Sequence, residues 1–170
     1  NFSGTDGFSY TTSDGQATSA AAAVTITIDS VNDAPARTAG NPAEIRVDTD
    51  SANDTAVTLG LAALTYGPGG GTTESSQTLT YKVTAIPSYV TLFQADGTTA
   101  VVADTVLTLA ELQGLTYKTV AGASGTGSIT WTAQDNGGTA NGAIDTLTET
   151  LSITVGDVNE APERTAGSLV

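Results

Sequence analysis

Apolar and polar residues alternate along short stretches of this chain, with the two-residue period of a strand that buries one face. Within residues 6–12, Phe8 and Tyr10 alternate with Ser9 and Thr11, and within residues 22–28, Val24, Ile26 and Ile28 alternate with Thr25 and Thr27. Further on, Leu79, Tyr81 and Val83 alternate with Thr80, Lys82 and Thr84, and Leu115 and Tyr117 with Thr116 and Lys118. Ile129, Trp131 and Ala133 alternate with Ser128, Thr130 and Thr132, and the last strand carries Leu151, Ile153 and Val155. Threonine on the outward positions keeps strand propensity high while leaving that face wettable. One helical turn is predicted at residues 107–113, where Thr108 and Glu111 have the spacing of a capping box. Strands with one apolar face, separated by Gly, Asp and Asn turns, predict an all-β chain of Ig-like antiparallel β-sandwiches. The expected core centres on Trp131, Tyr81, Tyr117, Leu79 and Ile153, with Trp131 as a core aromatic.

The chain also repeats itself. Val31-Asn32-Asp33-Ala34-Pro35-Ala36-Arg37-Thr38-Ala39-Gly40 returns as Val158-Asn159-Glu160-Ala161-Pro162-Glu163-Arg164-Thr165-Ala166-Gly167, an offset of 162 − 35 = 127. Val24, Ile26 and Ile28 fall on Leu151, Ile153 and Val155 at the same offset. Phe8, Tyr10 and Asp14 correspond to Ile129, Trp131 and Asp135 at an offset of 121, which leaves an insertion of 127 − 121 = 6 residues after Asp135. A repeat of this kind sets the organisation of the whole chain. Residues 1–32 read as the closing strands of one module, 33–159 as a complete module, and 160–170 as the opening segment of the next. The parent chain is expected to continue in both directions.

Composition narrows the chemistry. Across 170 residues there are 5 Lys and Arg against 18 Asp and Glu, a net charge of −13. Such a surface repels phosphate backbones and anionic lipid, so nucleic acid is not an expected partner. No run of apolar residues is long enough to span a bilayer, so direct membrane insertion is not expected either. With no His and no Cys, the chain has neither the usual transition-metal ligands nor disulfides. A carboxylate-rich chain of this kind suits a hard cation, calcium above all, and calcium is an apt substitute for disulfide staples outside the cell.

Catalysis has little to draw on. No His stands beside a serine and no Cys offers a nucleophile, so the chain is not expected to be an enzyme. Residues 67–72, Gly-Pro-Gly-Gly-Gly-Thr, lack the Gly-Lys-Ser/Thr ending and the helix of a phosphate loop and read as a flexible loop. Asp14 and Asp135 follow core strands and read as turn caps. The oxygen-rich stretches are the linker, with Asp29, Asn32 and Asp33, then Glu44, then the loop holding Asp48, Asp50 and Asp54. A solvated acidic loop has the same composition, so the stretches alone do not fix a site.

Two segments carry a family resemblance. Ile129-Thr130-Trp131-Thr132-Ala133-Gln134-Asp135-Asn136-Gly137-Gly138, followed by Leu151-Ser152-Ile153-Thr154-Val155-Gly156-Asp157-Val158-Asn159-Glu160-Ala161-Pro162, resembles the end of a bacterial cadherin-like tandem repeat. Residues 7–15 together with residues 31–35 resemble it again. A cadherin linker reads D-x-N-D-N; here the second joint reads Asp157-x-Asn159-Glu160-Ala161, and the first has Ser30 at the initial position with Asp29 one residue earlier. The resemblance implies an extracellular or cell-surface spacer or adhesin, with calcium between successive modules. The ligands it implies are Asp29, Asn32, Asp33, Glu44, Asp48 and Asp50 around the first joint, and Asp157, Asn159 and Glu160 at the second. Adjacent modules of the same chain are the first expected partners. A carbohydrate- or protein-binding module for the cell surface, and a subunit that assembles with copies of itself into a filament or surface layer, stand as alternatives.

Overall fold

The computed structural model describes residues 3–49 and 54–156, and there the chain is all-β. In chain order the strands are β1 Gly4–Tyr10, β2 Ala22–Ile28, β3 Ala36–Ala39, β4 Ile45–Asp48, β5 Val57–Thr58, β6 Thr65–Gly67 and β7 Leu79–Ala85. They continue as β8 Val90–Phe93, β9 Ala100–Val101, β10 Val106–Leu107, β11 Thr116–Thr119, β12 Gly125–Asp135 and β13 Thr146–Gly156. Among the described residues the one α-helical turn, α1 Leu109–Gln113, starts as the sequence predicts. Thr108 Oγ1 accepts the Glu111 amide at 3.3 Å, and Glu111 Oε2 accepts the Thr108 amide at 2.7 Å.

Two sheets share one core. The first runs β10-β7-β12-β13-β4 and the second β5-β11-β8-β9. Period-two patterning decides which side chains enter it. Along β12, Ile129, Trp131 and Ala133 are buried, and along β13 so are Leu151, Ile153 and Val155. The second sheet contributes Val90, Leu92, Val101 and Tyr117 to the same cluster, and α1 adds Leu112. Of the core residues expected from sequence, Trp131, Tyr81, Tyr117 and Ile153 are fully buried, while Leu79, at the start of β7, is only partly covered.

Two polar groups among the core aromatics find partners. Trp131 Nε1 donates to the Tyr66 hydroxyl at 3.0 Å, and the Tyr66 and Tyr81 rings meet at 5.4 Å in a tilted pair. The Tyr89 hydroxyl donates to the Ile153 carbonyl at 3.0 Å. Burial raises the phenol pKa of Tyr66, Tyr81, Tyr89 and Tyr117, so all four remain neutral. The ribbon β3-β6 is tied to β13 through Arg37, whose Nε lies 3.4 Å from Glu149 Oε1.

One strand pair departs from the antiparallel expectation. β4 runs parallel to β13, with Ile45 opposite Ile153 and Asp48 opposite Gly156. About a hundred residues separate the two strands in sequence, so no tight turn dictates their direction, and β4 settles on the open edge of β13. Strands β1 and β2 form a separate two-stranded sheet. Its apolar residues Phe8, Tyr10, Val24, Ile26 and Ile28 are exposed.

Two consequences can be measured. A Cβ on Gly125 would lie 2.6 Å from the Tyr89 ring, so Gly125→Ala should cost about 1–3 kcal/mol in urea denaturation by overpacking. The cost should shrink in a Tyr89→Ala background, where the obstruction is gone. In the β8–β9 turn, Asp96 accepts the Thr99 hydroxyl at 2.6 Å and the Thr98 and Thr99 amides at 2.8 Å. These bonds, the Thr99 hydroxyl first, hold its pKa at about 2, below the ordinary 3.8. A depressed folded-state pKa means the stabilisation is complete above pH ~4 and lost as pH falls through about 2. Carboxyl NMR should place the Asp96 midpoint near 2, and Asp96→Asn should lessen the fall in stability between pH 4 and 2, with the lowered carboxyls of Asp14, Glu111 and Asp145 keeping the remainder.

Candidate functional site

The linker that follows β2 does not hang free. Residues 29–35 carry no regular structure, and three residues in it, Asn32, Asp33 and Pro35, are seated against the larger set of strands. The Asn32 side chain is the clasp. Its Nδ2 donates to Asp135 Oδ1 at 3.0 Å and to the Ile144 carbonyl at 3.0 Å, and its Oδ1 accepts Gln77 Nε2 at 2.7 Å. The next amide, of Asp33, donates to the Glu74 carboxylate, at 3.1 Å to Oε1 and 3.3 Å to Oε2. Pro35 then turns inward and is buried.

Local sequence explains why this seat exists. Asp135 ends β12 at the same level as the loop leading into β7, which holds Glu74 and Gln77. Asp135 also caps its own turn by accepting the Gly137 amide at 2.9 Å, and Asn136 Oδ1 accepts the Thr78 amide at 3.0 Å. The six residues inserted after Asp135, relative to the first repeat, lie in the loop that presents the Ile144 carbonyl. Asp14, the counterpart of Asp135, accepts only the Gln16 and Ala17 amides of its own turn, and those bonds lower its pKa.

The glycine-rich stretch 67–72 has a shape set by packing. Gly69 and Gly70 adopt positive φ of 93° and 39°, a region that side chains seldom enter. A Cβ on Gly69 would collide with the Ala34 carbonyl of the linker, and one on Gly70 with the Glu74 carboxylate. A Cβ on Gly137 would strike the Asn32 amide. These glycines let backbone approach the linker and the buried acid closely. The sequence reading of 67–72 as a plain flexible loop overlooked that packing.

The electrostatics are unusual for a core this small. Glu74 is 3 % exposed and Asp135 is 5 % exposed. Among the described residues neither has a Lys or Arg partner. Arg37 pairs with Glu149, Arg46 with Glu44, Lys82 with Asp104, and Lys118 lies over the Phe93 ring. Asp135 Oδ2 and Gln77 Oε1 are buried with no hydrogen-bond partner among the described residues. Burying a carboxylate with an unpaired oxygen is costly unless something positive meets it. The site therefore offers two carboxylates and an amide oxygen, all hard donors of the kind calcium takes. Among the described residues, no three acidic side chains converge on one point.

The residues proposed from sequence separate into two ends. Asn32 and Asp33 belong to the seat just described, and Asp29 is exposed at the end of β2. Glu44 and Asp48 do not join them. Glu44 is in an ion pair with Arg46 at 2.8 Å, and Asp48 lies opposite Gly156 at the far end of β13. Eleven residues of strand separate Gly156 from Asp145, whose carbonyl accepts the Asp135 amide; at about 3.3 Å per residue that is roughly 36 Å. The sequence grouped these acids because they are close in the chain, but the segment between β3 and β4 carries the chain along β13, away from the linker, before β4 pairs there. Asp50, Asp157, Asn159 and Glu160 lie outside the described residues. Glu74 and Gln77 were not anticipated; the available signal was an acid three residues after a glycine run, Gly69 to Gly71, with only Thr72 and Thr73 between.

Compared with known proteins, the chain matches no protein-family model and no curated protein.

Removing the clasp leaves buried acceptors and donors unpaired. Asn32→Ala should destabilise the chain by about 1–3 kcal/mol. Hydrogen exchange should show the Asp33 amide opening faster while the amides at the centre of β12 stay protected.

Proposed function

We propose that this chain is an extracellular structural segment of tandem β-sandwich modules, a rod-like spacer whose joints are set by calcium. Two sheets around one core, Trp131 at its centre, support the sandwich reading. The seating of the linker on the Glu74–Asp135 end supports the reading of that linker as a joint. The observation that carries the calcium proposal is a pair of buried acids with no basic partner among the described residues, with Asp135 Oδ2 and the neighbouring Gln77 Oε1 left unpaired, where one segment docks on another.

The chain's own groups divide the work. Asn32 orients Asp135 and Gln77 through its amide, so that Asp135 Oδ2 and Gln77 Oε1 remain for a cation. Glu74 holds the linker by the Asp33 amide and keeps further lone pairs on its two oxygens. A bound calcium ion would supply the positive charge that offsets both carboxylates and draw linker and loop oxygens to one point. Gly69 and Gly70 keep the backbone close enough for the linker to remain in contact. The far end of the same module, with Glu44 and Asp48, would serve the following joint with Asp157, Asn159 and Glu160. A structural role also suits a chain without His or Cys.

Calorimetric titration of the chain with calcium should show binding in the range of extracellular modules, Kd roughly 10⁻⁴–10⁻³ M. Glu74→Gln combined with Asp135→Asn should abolish one site, whereas Asp96→Asn should leave it intact. Small-angle scattering should give a longer maximum dimension with calcium than with chelator. An unchanged dimension and no heat of binding would reject the calcium-set joint.

A further inference from the structure

Strands β1 and β2 pair over seven positions, from Gly4 opposite Ile28 to Tyr10 opposite Ala22. The register is the one that β12 and β13 use. Phe8 opposite Val24 corresponds to Ile129 opposite Leu151, Asp6 opposite Ile26 to Gly127 opposite Ile153, and Gly4 opposite Ile28 to Gly125 opposite Val155. Sequence offsets of 121 and 127 thus translate into identical cross-strand pairs. A one-residue slip would have turned every side chain to the other face, so the same inward set is specified twice.

The two hairpins differ in what covers that set. Ile129, Leu151, Ile153 and Val155 are at most 1 % exposed, whereas Phe8 is 57 %, Ile26 is 48 % and Ile28 is 43 % exposed. An isolated two-stranded hairpin is marginal in water, and a contiguous apolar face of this kind marks a contact surface. In this same molecule the matching face of β12–β13 is covered by strands that precede it in the chain.

We propose that the apolar face of β1–β2 docks a strand layer of the same build as β4–β11, supplied by chain on the N-terminal side of the hairpin. The inference rests on the sandwich reading but is independent of calcium. One residue specifies the layer further. Gly125 has no room for a Cβ because the Tyr89 ring occupies that space. The hairpin also has glycine there, at Gly4, where a φ of 151° already favours glycine. A Cβ on Gly127 would meet the Tyr89 hydroxyl at 2.9 Å, yet the hairpin has Asp6 at this place. The docking layer therefore differs from Tyr89 at this place and leaves room for the Asp6 side chain, whose Oδ1 accepts the Gly7 amide at 2.7 Å.

The test is a chain in which a second copy of residues 33–124 precedes residue 3 of the full sequence, studied by hydrogen exchange. With Asp6→Gly, which restores the room Tyr89 needs, the amides of β1 and β2 should slow roughly 100-fold or more relative to the 170-residue chain. With Asp6 retained the slowing should be at least tenfold smaller, and Tyr89→Ser in the added copy should recover part of it. Unchanged hairpin exchange beside protected β12–β13 amides would overturn the docking proposal alone. Unprotected β12–β13 amides would overturn the sandwich reading, and this inference with it. A 170-residue chain that is dimeric with a protected hairpin, and monomeric after Phe8→Ser with Ile26→Ser, would show that a second copy is the occupant and would also overturn it.

Discussion

The long antiparallel pairing of β12 with β13 is the constraint on which both the core and the site depend. The pairing runs from Gly125 opposite Val155 to Gln134 opposite Thr146, near the centre of the larger sheet. Its inward side chains hold Trp131 against Tyr66 and carry the buried aliphatic residues of both strands. Its outward side chains are almost all hydroxyl-bearing, which keeps that face wettable without charge. The same ribbon ends at Asp135, the residue that receives the linker. A change that shifted this register would empty the core and remove the linker's anchor together, because both are read from one alternation.

That alternation is why so much of the fold was legible. Period-two stretches around Phe8, Val24, Tyr81, Tyr117, Trp131 and Ile153 all became strands, and the capping pair Thr108 and Glu111 became a helical turn. These are local signals, decided by neighbours two or three residues away. The parallel placement of β4 was not legible, since strand direction at a sheet edge depends on a partner a hundred residues distant. Short strands such as β5, β9 and β10, two residues each, have no period to read; their neighbours in the sheet define them.

The candidate site was legible by half. Asn32 and Asp33 stood out because the joint recurs, but the sequence could not say that the Asn32 amide would act as a clasp between Gln77 and Asp135. Glu74 was hidden by its context. A lone acid after a glycine run reads as solvent-facing, and only the fold shows that the glycines admit its carboxylate beneath the linker. Glu44 and Asp48 were grouped with the linker, because proximity in sequence does not reveal a chain path that places them roughly 23 and 36 Å along β13 from Asp145.

The clasp also limits what precedes it. Ile28 closes β2 and Asn32 is anchored to Asp135, so four chain steps, about 14 Å at full extension, connect the hairpin to the larger set of strands. With Asn32 free, the hairpin swings on the whole linker. With Asn32 seated, only residues 29–31 remain to bend. Three residues, one of them Asp29, are few enough that their charge and hydrogen bonding decide the angle. Stiffness in such a joint does not require a large interface. It requires that the last anchored side chain lie close to the end of the last strand, and Asn32 meets that condition four residues after Ile28.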